Sequence, residues 1–128
     1  MLYLILKAGE WRMFKLVVVD DEEMTRKHLE NILDWDILGF EIVASFSDAQ
    51  SVLEYLACET ADVVLTDIKM ESISGLELAK RLSEDYPHIT VVIISGHREF
   101  EYVREALKYN TYDYILKPVT YEEFYEVF

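Results

Sequence analysis

The sequence has one cysteine, two prolines, four glycines and few basic residues. A lone cysteine cannot form an internal disulfide, and the apolar neighbours of Cys58 predict an ordinary packed position in a reducing compartment. Only 12 basic residues stand against 25 acidic ones, which gives a net charge of -13. This charge disfavours nucleic acid or an anionic membrane as a direct partner of the segment.

Long apolar runs are also missing, because the opening MLYLILKAGEWRM is too short to span a bilayer and lacks a convincing secretion cleavage site. We therefore expect a cytoplasmic protein. A chain of 128 residues with 52% hydrophobic content is enough for one compact domain. We expect that domain to cover residues 13–128, with residues 1–12 as a leader or upstream-start extension. An added edge strand or dimer contact is the alternative for residues 1–12.

Apolar runs of strand length alternate with stretches of helical periodicity along the whole chain. The pattern predicts strands over residues 15–20, 40–45, 62–66, 90–95 and 112–116, each followed by a helix. Ser74 with Glu77 and Thr120 with Glu123 predict capping boxes at the third and fifth helices. Strict alternation with short connections predicts a parallel sheet covered by helices on both faces.

Polar side chains stand where four of the predicted strands end, which is the edge at which functional groups gather in an open parallel sheet. They comprise three carboxylates, one hydroxyl and one amine, namely Asp20, Asp21, Asp67, Ser95 and Lys117. The second strand ends in Ser-Phe-Ser with nothing comparable, as expected for a strand at the edge of the sheet.

Three neighbouring carboxylates repel one another unless they share a cation. Ligands that are all oxygen favour Mg²⁺ over zinc, and the three histidines have no metal-ligand spacing. Mg²⁺ commonly takes a substrate phosphate oxygen as a further ligand, which indicates phosphoryl chemistry. Asp67 would then be the nucleophile that forms an aspartyl phosphate, while Lys117 and Ser95 bind phosphate oxygens.

Four segments, VVVDDE, VVLTDIKM, VVIISGH and YDYILKPV, resemble in order and spacing the receiver domain of bacterial two-component response regulators. The resemblance covers roughly residues 13–128. The stretches DWDILGFEIVAS and SGHREFEYVREALKYNTYDYILKPVTYEEF are most similar to receivers attached to AraC-type helix-turn-helix output domains. The resemblance implies an α/β fold of the (βα)5 flavodoxin-like type, a doubly wound parallel five-stranded sheet with strand order 2-1-3-4-5.

The resemblance also implies a role for individual residues. It makes Asp20 and Asp21 the acid pocket, Asp67 the phosphoryl acceptor, Ser95 the switch hydroxyl, Tyr114 the switch aromatic and Lys117 the phosphate-pairing lysine. It further implies that the backbone carbonyl of Lys69 binds Mg²⁺ and that the Lys117–Pro118 peptide bond is cis. The phosphoryl donor would be a sensor histidine kinase or a small acyl phosphate. The face of the fourth helix, fifth strand and fifth helix would bind a partner and is a candidate homodimer surface.

Some positions depart from the receiver pattern. Glu71 stands where receivers commonly have proline, which predicts a more mobile loop after Asp67. Lys69 and His97 would flank the water that hydrolyses the phosphate, and our hypothesis is that Lys69 shields it. The short last helix predicts a truncated receiver whose output domain, and with it any DNA binding, is missing. A stand-alone receiver is the alternative.

Several duller or different interpretations stay open. Asp20 alone could cap a helix, and Glu22 and Glu23 fit a first helical turn without any site role. The chain could be an interaction module that does not depend on phosphorylation. A Mg²⁺-dependent phosphatase is disfavoured because Lys69 stands where such enzymes have a second aspartate, and a flavin protein would need a phosphate-cradling loop after strand one. We expect no enzymatic activity beyond self-phosphorylation and autodephosphorylation.

Overall fold

The computed structural model describes residues 13–68, 70, 73–95, 111–116 and 121–128, with the backbone alone at positions 95, 111–116, 121, 123 and 124. Its strands are β1 Phe14–Val19, β2 Phe40–Phe46, β3 Val63–Asp67, β4 Thr90–Ser95 and β5 Thr111–Leu116. Its helices are α1 Glu23–Asn31, α2 Ala49–Cys58, α3 Gly75–Asp85 and α4 Tyr121–Val127. The helix predicted between the last two strands lies outside the described residues. No helix in the described part is both long and apolar enough to cross a membrane.

The five strands form one parallel sheet with the order β2-β1-β3-β4-β5, as the flavodoxin-like prediction requires. In the register, Val19 lies beside Thr66 and Asp67 lies beside Ile94. Parallel strands point the same way, so β1, β3 and β4 end at the same edge of the sheet. The sequence prediction was one residue off at two of these ends, because β1 stops at Val19 and β3 continues through Asp67.

Apolar side chains cover both faces of the sheet, because successive residues of a strand point to opposite faces. On one face, Val17 and Val19 pack with aliphatic residues of α2 and α3. On the other face, Leu16 and Val18 pack with Leu29 of α1 in a cluster that also holds Trp35, Phe40 and Phe128. Burial on both faces explains why the central strands are continuous runs of valine, leucine and isoleucine instead of alternating patterns.

The aromatic part of the second face lies where β2 begins, at the opposite edge from the strand ends described above. The ring of Trp35 packs edge-on against Phe128, with 4.9 Å between centroids, and against Phe40 at 5.9 Å. The Trp35 indole donates a hydrogen bond of 3.1 Å to the carbonyl of Leu29, which ties the connection to the end of α1. Gly39, at φ 89°, makes the left-handed turn that leads into β2.

Two helices begin with side-chain caps. The Asp48 carboxylate accepts a hydrogen bond from the backbone N–H of Ser51 at 2.7 Å, at the start of α2. Ser74 accepts one from the backbone N–H of Glu77 at 3.1 Å, which confirms the hydroxyl half of the predicted box at α3. Thr120, of the second predicted box, lies outside the described residues.

The packed position predicted for Cys58 is wrong, because the structure places this residue on the exposed surface. Val52 and Leu56 form the buried side of α2. Cys58 follows Leu56 by two residues, and two residues of an α-helix turn the side chain through roughly 200°. Cys58 therefore lies on the solvent side, although Leu56 and Ala57 precede it directly in the sequence.

Candidate metal centre

Three carboxylates converge at the carboxyl edge of the sheet. One oxygen each from Asp20, Asp21 and Asp67 lies within 4.8 Å of the others. Asp20 is fully buried and Asp67 is 4% exposed, whereas Asp21 is on the surface. The cluster forms because Asp20 and Asp21 directly follow β1, and Asp67 ends the neighbouring strand β3. Two buried acids and one exposed acid thus face each other at the end of two paired strands.

Asp20 is held by hydrogen bonds from three directions. Its backbone N–H donates to the Phe46 carbonyl of β2 at 3.1 Å. Its side-chain Oδ1 accepts from the backbone N–H of Glu22 at 2.9 Å, just before α1 begins. Its own carbonyl accepts from a guanidinium nitrogen of Arg26 at 2.6 Å. The side chain therefore leaves β1 in a defined direction, and it braces the turn before the helix instead of capping the helix itself.

Backbone hydrogen bonds and a close backbone contact surround Asp67. The hydroxyl of Thr66 donates to the Asp67 carbonyl at 2.9 Å, and the N–H of the next residue, Ile68, donates to Ile94 of β4 at 3.2 Å. The N–H of Gly75, the first residue of α3, donates to the Ile68 carbonyl at 2.7 Å. A Cβ atom on Gly75 would lie 1.9 Å from the Asp67 carbonyl oxygen. Only glycine lets α3 start this close to the acid.

The donor set fits a hard divalent cation. Every ligand atom in the cluster is a carboxylate oxygen, and no histidine or cysteine in the described part of the chain joins it. Buried like charges repel strongly in a low dielectric, so a shared cation stabilises such an arrangement. Mg²⁺ prefers oxygen donors and commonly takes one or two carboxylates from the protein, with waters or phosphate oxygens completing its shell.

The backbone brings two more predicted residues toward this edge. Ser95 ends β4, the strand beside β3, and is paired with Leu116 at the end of β5. Tyr114 lies within β5, paired with Ile93. Only the backbone of Ser95 and Tyr114 is described. The other predicted site residues, Lys69, His97 and Lys117, lie outside the described residues, as does the Lys117–Pro118 bond.

The two glutamates that follow the acid pair do not join the cluster. Glu23 forms an exposed ion pair with Lys27 at 3.3 Å along α1. Glu22 precedes α1, and its side chain makes no capping hydrogen bond to the helix. Of the four consecutive acids, Asp20 and Asp21 belong to the cluster, whereas Glu22 and Glu23 belong to the start of α1. This agrees with the prediction that Glu22 and Glu23 have no site role.

Sequence reasoning missed two residues that contact the backbone of the acids, Arg26 at Asp20 and Gly75 at Asp67. Arg26 carried no recognisable signal, because one arginine in a charged helix is usually solvated. Gly75 did carry one, since glycine in a helix costs conformational entropy and its place beside the Ser74 cap suggests a close backbone contact. Both act through contacts between elements that are distant in sequence or across a turn.

Comparison with known proteins identifies the same segment. Residues 16–128 match the family model of the response regulator receiver domain. The chain is 34% identical over 106 residues to an uncharacterized transcriptional regulatory protein, YesN, of Bacillus subtilis, covering 83% of this chain and 29% of that protein. It spans less than half the length of the first curated relatives, 29% and 43% of theirs.

Solved structures agree with this match. The REC domain of AraT, a response regulator from Geobacillus stearothermophilus, has a TM-score of 0.84 at 32% identity and covers 90% of this chain and 89% of that one. A two component transcriptional regulator AraC from Clostridium phytofermentans has a TM-score of 0.78 at 29% identity, with 88% of each chain covered. The fold, the family model and the relatives coincide, and the chain belongs to the receiver domain family of two-component response regulators.

Proposed function

We propose that this receiver is a phosphorylation-dependent switch that takes a phosphoryl group from a sensor histidine kinase onto Asp67 with the help of Mg²⁺. The observation that carries the proposal is the convergence of Asp20, Asp21 and Asp67 at the ends of β1 and β3. Asp67 is the member that ends a strand and lies beside β4, whose last residue is the hydroxyl donor Ser95. Asp67 is therefore the acid whose strand neighbours the one that ends in Ser95.

In the proposed transfer, a carboxylate oxygen of Asp67 attacks the phosphorus of a phosphohistidine in line with the phosphorus–nitrogen bond. A phosphorus–oxygen bond forms while the bond to the histidine breaks, and the electron pair leaves with the imidazole. Asp20, Asp21, Asp67 and the backbone carbonyl of Lys69 would hold Mg²⁺, which when bound neutralises charge on the phosphoryl oxygens. Lys117 supplies a second positive charge to those oxygens.

The proposed switch follows from the charge that the phosphoryl group adds. Ser95 donates its hydroxyl to a phosphoryl oxygen and draws the end of β4 toward Asp67, and Tyr114 of β5 turns into the space that the hydroxyl leaves. The surface formed by β5 and its flanking helices passes the change to a partner, including a second copy of the chain. Lys69 and His97 flank the hydrolytic water and set the lifetime of the phosphorylated state.

We further propose that the receiver occupies residues 13–128, with residues 1–12 as a leader or upstream extension, and that it works in the cytoplasm. Because the chain covers well under half of its curated relatives, the output is assigned to a further domain of the full-length protein. An AraC-type DNA-binding domain is the proposed output, supported by the likeness to the Clostridium phytofermentans regulator. DNA contact would then come from that domain and not from this acidic segment.

The test is incubation of the protein with MgCl₂ and acetyl phosphate, followed by intact mass spectrometry. The wild type is expected to gain the mass of one phosphoryl group, and Asp67→Asn is expected to gain none because its amide is not a nucleophile. Asp85→Asn is the matched control, since Asp85 is an exposed aspartate at the end of α3. An unmodified wild type, or equal modification of Asp67→Asn, would overturn the proposal and favour a phosphorylation-independent interaction module.

A further inference from the structure

Arg26, on the second turn of α1, makes a polar contact that the proposed chemistry does not use. We propose that Arg26 is a positioning residue that sets the metal-binding geometry of Asp20, an inference that rests on the proposed function. The guanidinium donates to the carbonyl of Asp20 at 2.6 Å and is part-buried. It touches the backbone of the acid and is not itself a ligand.

Of the three hydrogen bonds described for Asp20, this one is donated by the side chain of another residue. The other two, from Asp20 N–H to Phe46 and from Glu22 N–H to Oδ1, use backbone groups. Together they hold the N–H, the carbonyl and the carboxylate of Asp20. Loss of the Arg26 bond would free the peptide that links Asp20 to Asp21, and both of these residues contribute to the carboxylate cluster. One side chain thus constrains two ligands.

An arginine suits this place because its guanidinium is permanently charged and presents several donors in a fixed plane. A hydrogen bond from a charged donor is shorter and stronger than a neutral one. The backbone N–H of Arg26 is itself bonded to the Glu22 carbonyl at 3.0 Å, so the residue that carries the guanidinium is fixed in the first turns of α1. The helix, the turn and the acid therefore form one closed loop of hydrogen bonds.

Removing Arg26 should change the Mg²⁺ affinity in opposite directions, depending on whether Arg26 positions the ligands or acts only through its charge. If Arg26 acted only as a nearby cation, its removal would strengthen Mg²⁺ binding, because one repelling charge would be lost. If Arg26 positions the ligands, its removal would weaken Mg²⁺ binding, because the ligands would have to be ordered on binding. A purely structural role elsewhere would change stability and leave the affinity alone.

The experiment is isothermal titration calorimetry with MgCl₂ on wild type, Arg26→Met, Arg26→Lys and Arg81→Met, each checked for folding by circular dichroism. Arg26→Met is expected to raise the Mg²⁺ dissociation constant about tenfold, the size seen when a residue that orients a metal ligand is removed. Arg26→Lys, which keeps a charged donor, is expected to lie between it and the wild type. Arg81→Met is expected to match the wild type, since Arg81 pairs only with Glu77 on α3 in the contacts described.

Unchanged or tighter Mg²⁺ binding by folded Arg26→Met would overturn the inference. If Arg26→Met does not fold, Arg26→Gln replaces it: weaker Mg²⁺ binding by folded Arg26→Gln supports the inference, and wild-type or tighter binding overturns it. A wild type that binds Mg²⁺ and accepts phosphate while both Arg26 variants match it refutes only the role of Arg26. A wild type that does neither refutes the proposed function itself.

Discussion

The turns after β1 and β2 each contain an aspartate whose carboxylate accepts a backbone hydrogen bond, but the two aspartates have different roles. After β1, the carboxylate of Asp20 accepts a backbone hydrogen bond from Glu22 at 2.9 Å. After β2, the carboxylate of Asp48 accepts one from Ser51 at 2.7 Å. Asp20 is fully buried in a cluster with two other acids, whereas Asp48 is partly exposed and caps α2.

The difference comes from where each strand lies in the sheet. β1 lies between β2 and β3, so Asp20 ends beside the strand that carries Asp67. Among the described strands, β2 lies at one end of the sheet and pairs with β1 alone. A carboxylate at a strand end therefore becomes part of a shared site only where an adjacent strand brings another. Residue type and turn geometry alone do not distinguish the two corners.

The largest expected effect is a difference in Mg²⁺ binding between variants of Asp20 and of Asp48. Asp20→Asn is expected to weaken Mg²⁺ binding by about 100-fold, or about 2.8 kcal/mol, because one of the charged ligands is lost. Asp48→Asn is expected to stay within about twofold of the wild type, since Asp48 is not part of the cluster. Calorimetric titration of both variants measures this. Glu23→Gln, which removes an acid close to Asp20 in sequence, is the control, and a loss as large as that of Asp20→Asn would contradict the division of the acidic run.

The next effect tests the packing that holds Asp67. Gly75→Ala is expected to lower the free energy of unfolding by about 2 kcal/mol, because the new methyl group would meet the Asp67 carbonyl at 1.9 Å. It is also expected to slow phosphorylation by acetyl phosphate. Urea unfolding and intact mass spectrometry measure the two effects.

Gly39→Ala is the matched control for Gly75→Ala. Apart from Gly39 and its two chain neighbours, no atom of the described residues lies within 4 Å of a Cβ built on Gly39, but its φ of +89° disfavours a side chain. We expect a loss of about 1 kcal/mol from backbone strain and an unchanged phosphorylation rate. A slowed Gly39→Ala, or an unaffected Gly75→Ala, would show that close packing is not what places Asp67.

The smallest effect concerns Asp48 and its pH dependence. Asp48→Ala is expected to cost about 1 kcal/mol of stability at pH 7, the usual value of a lost helix cap. The backbone hydrogen bond from Ser51 lowers the pKa of Asp48, with a second contribution from the Ser51 side chain. The charged form is therefore favoured in the folded state. Its contribution is full above the unfolded pKa of about 4 and is lost as the pH falls through the lower folded value.

Urea unfolding of wild type and Asp48→Ala at several pH values checks this sign. The stability gap between them is expected to be constant near neutral pH and to narrow below about pH 4. Asp48→Asn, which keeps a capping oxygen, is expected to lose less than Asp48→Ala at pH 7. A gap that widens on acidification would contradict the assignment of Asp48 as a charged cap.

The parallel sheet and its two covered faces followed from the alternation of apolar runs and helical stretches, whereas the strand order followed from the resemblance of four short motifs to receiver domains. The valine-rich runs could belong only to strands buried on both faces, and Ser74 with Glu77 marked the start of α3. The gathering of acids after β1 and β3 followed from the common direction of parallel strands together with the expected strand order, which makes β1 and β3 neighbours. Such inferences need no knowledge of side-chain contacts.

Two of the three features that escaped prediction depend on contacts across the fold, and the third depends on the local turn of a helix. Cys58 was expected to be packed, but the helical turn places it on the surface two residues beyond Leu56. The link between Arg26 and Asp20 spans a turn whose path the sequence does not fix. The closeness of Gly75 to Asp67 depends on how α3 docks after the loop. Neither contact leaves a periodic trace in the sequence.

The position of β1 between β2 and β3 also has a kinetic consequence. Its pairing with β3 joins segments separated by α1, β2 and α2, so these contacts have long sequence separation and a large loop-closure cost. During synthesis, β1 leaves the ribosome well before the strand that completes its second edge. We therefore expect Asp20 and Asp67 to come together late in folding, so that a nascent chain would gain the candidate cation site only once the centre of the sheet has assembled.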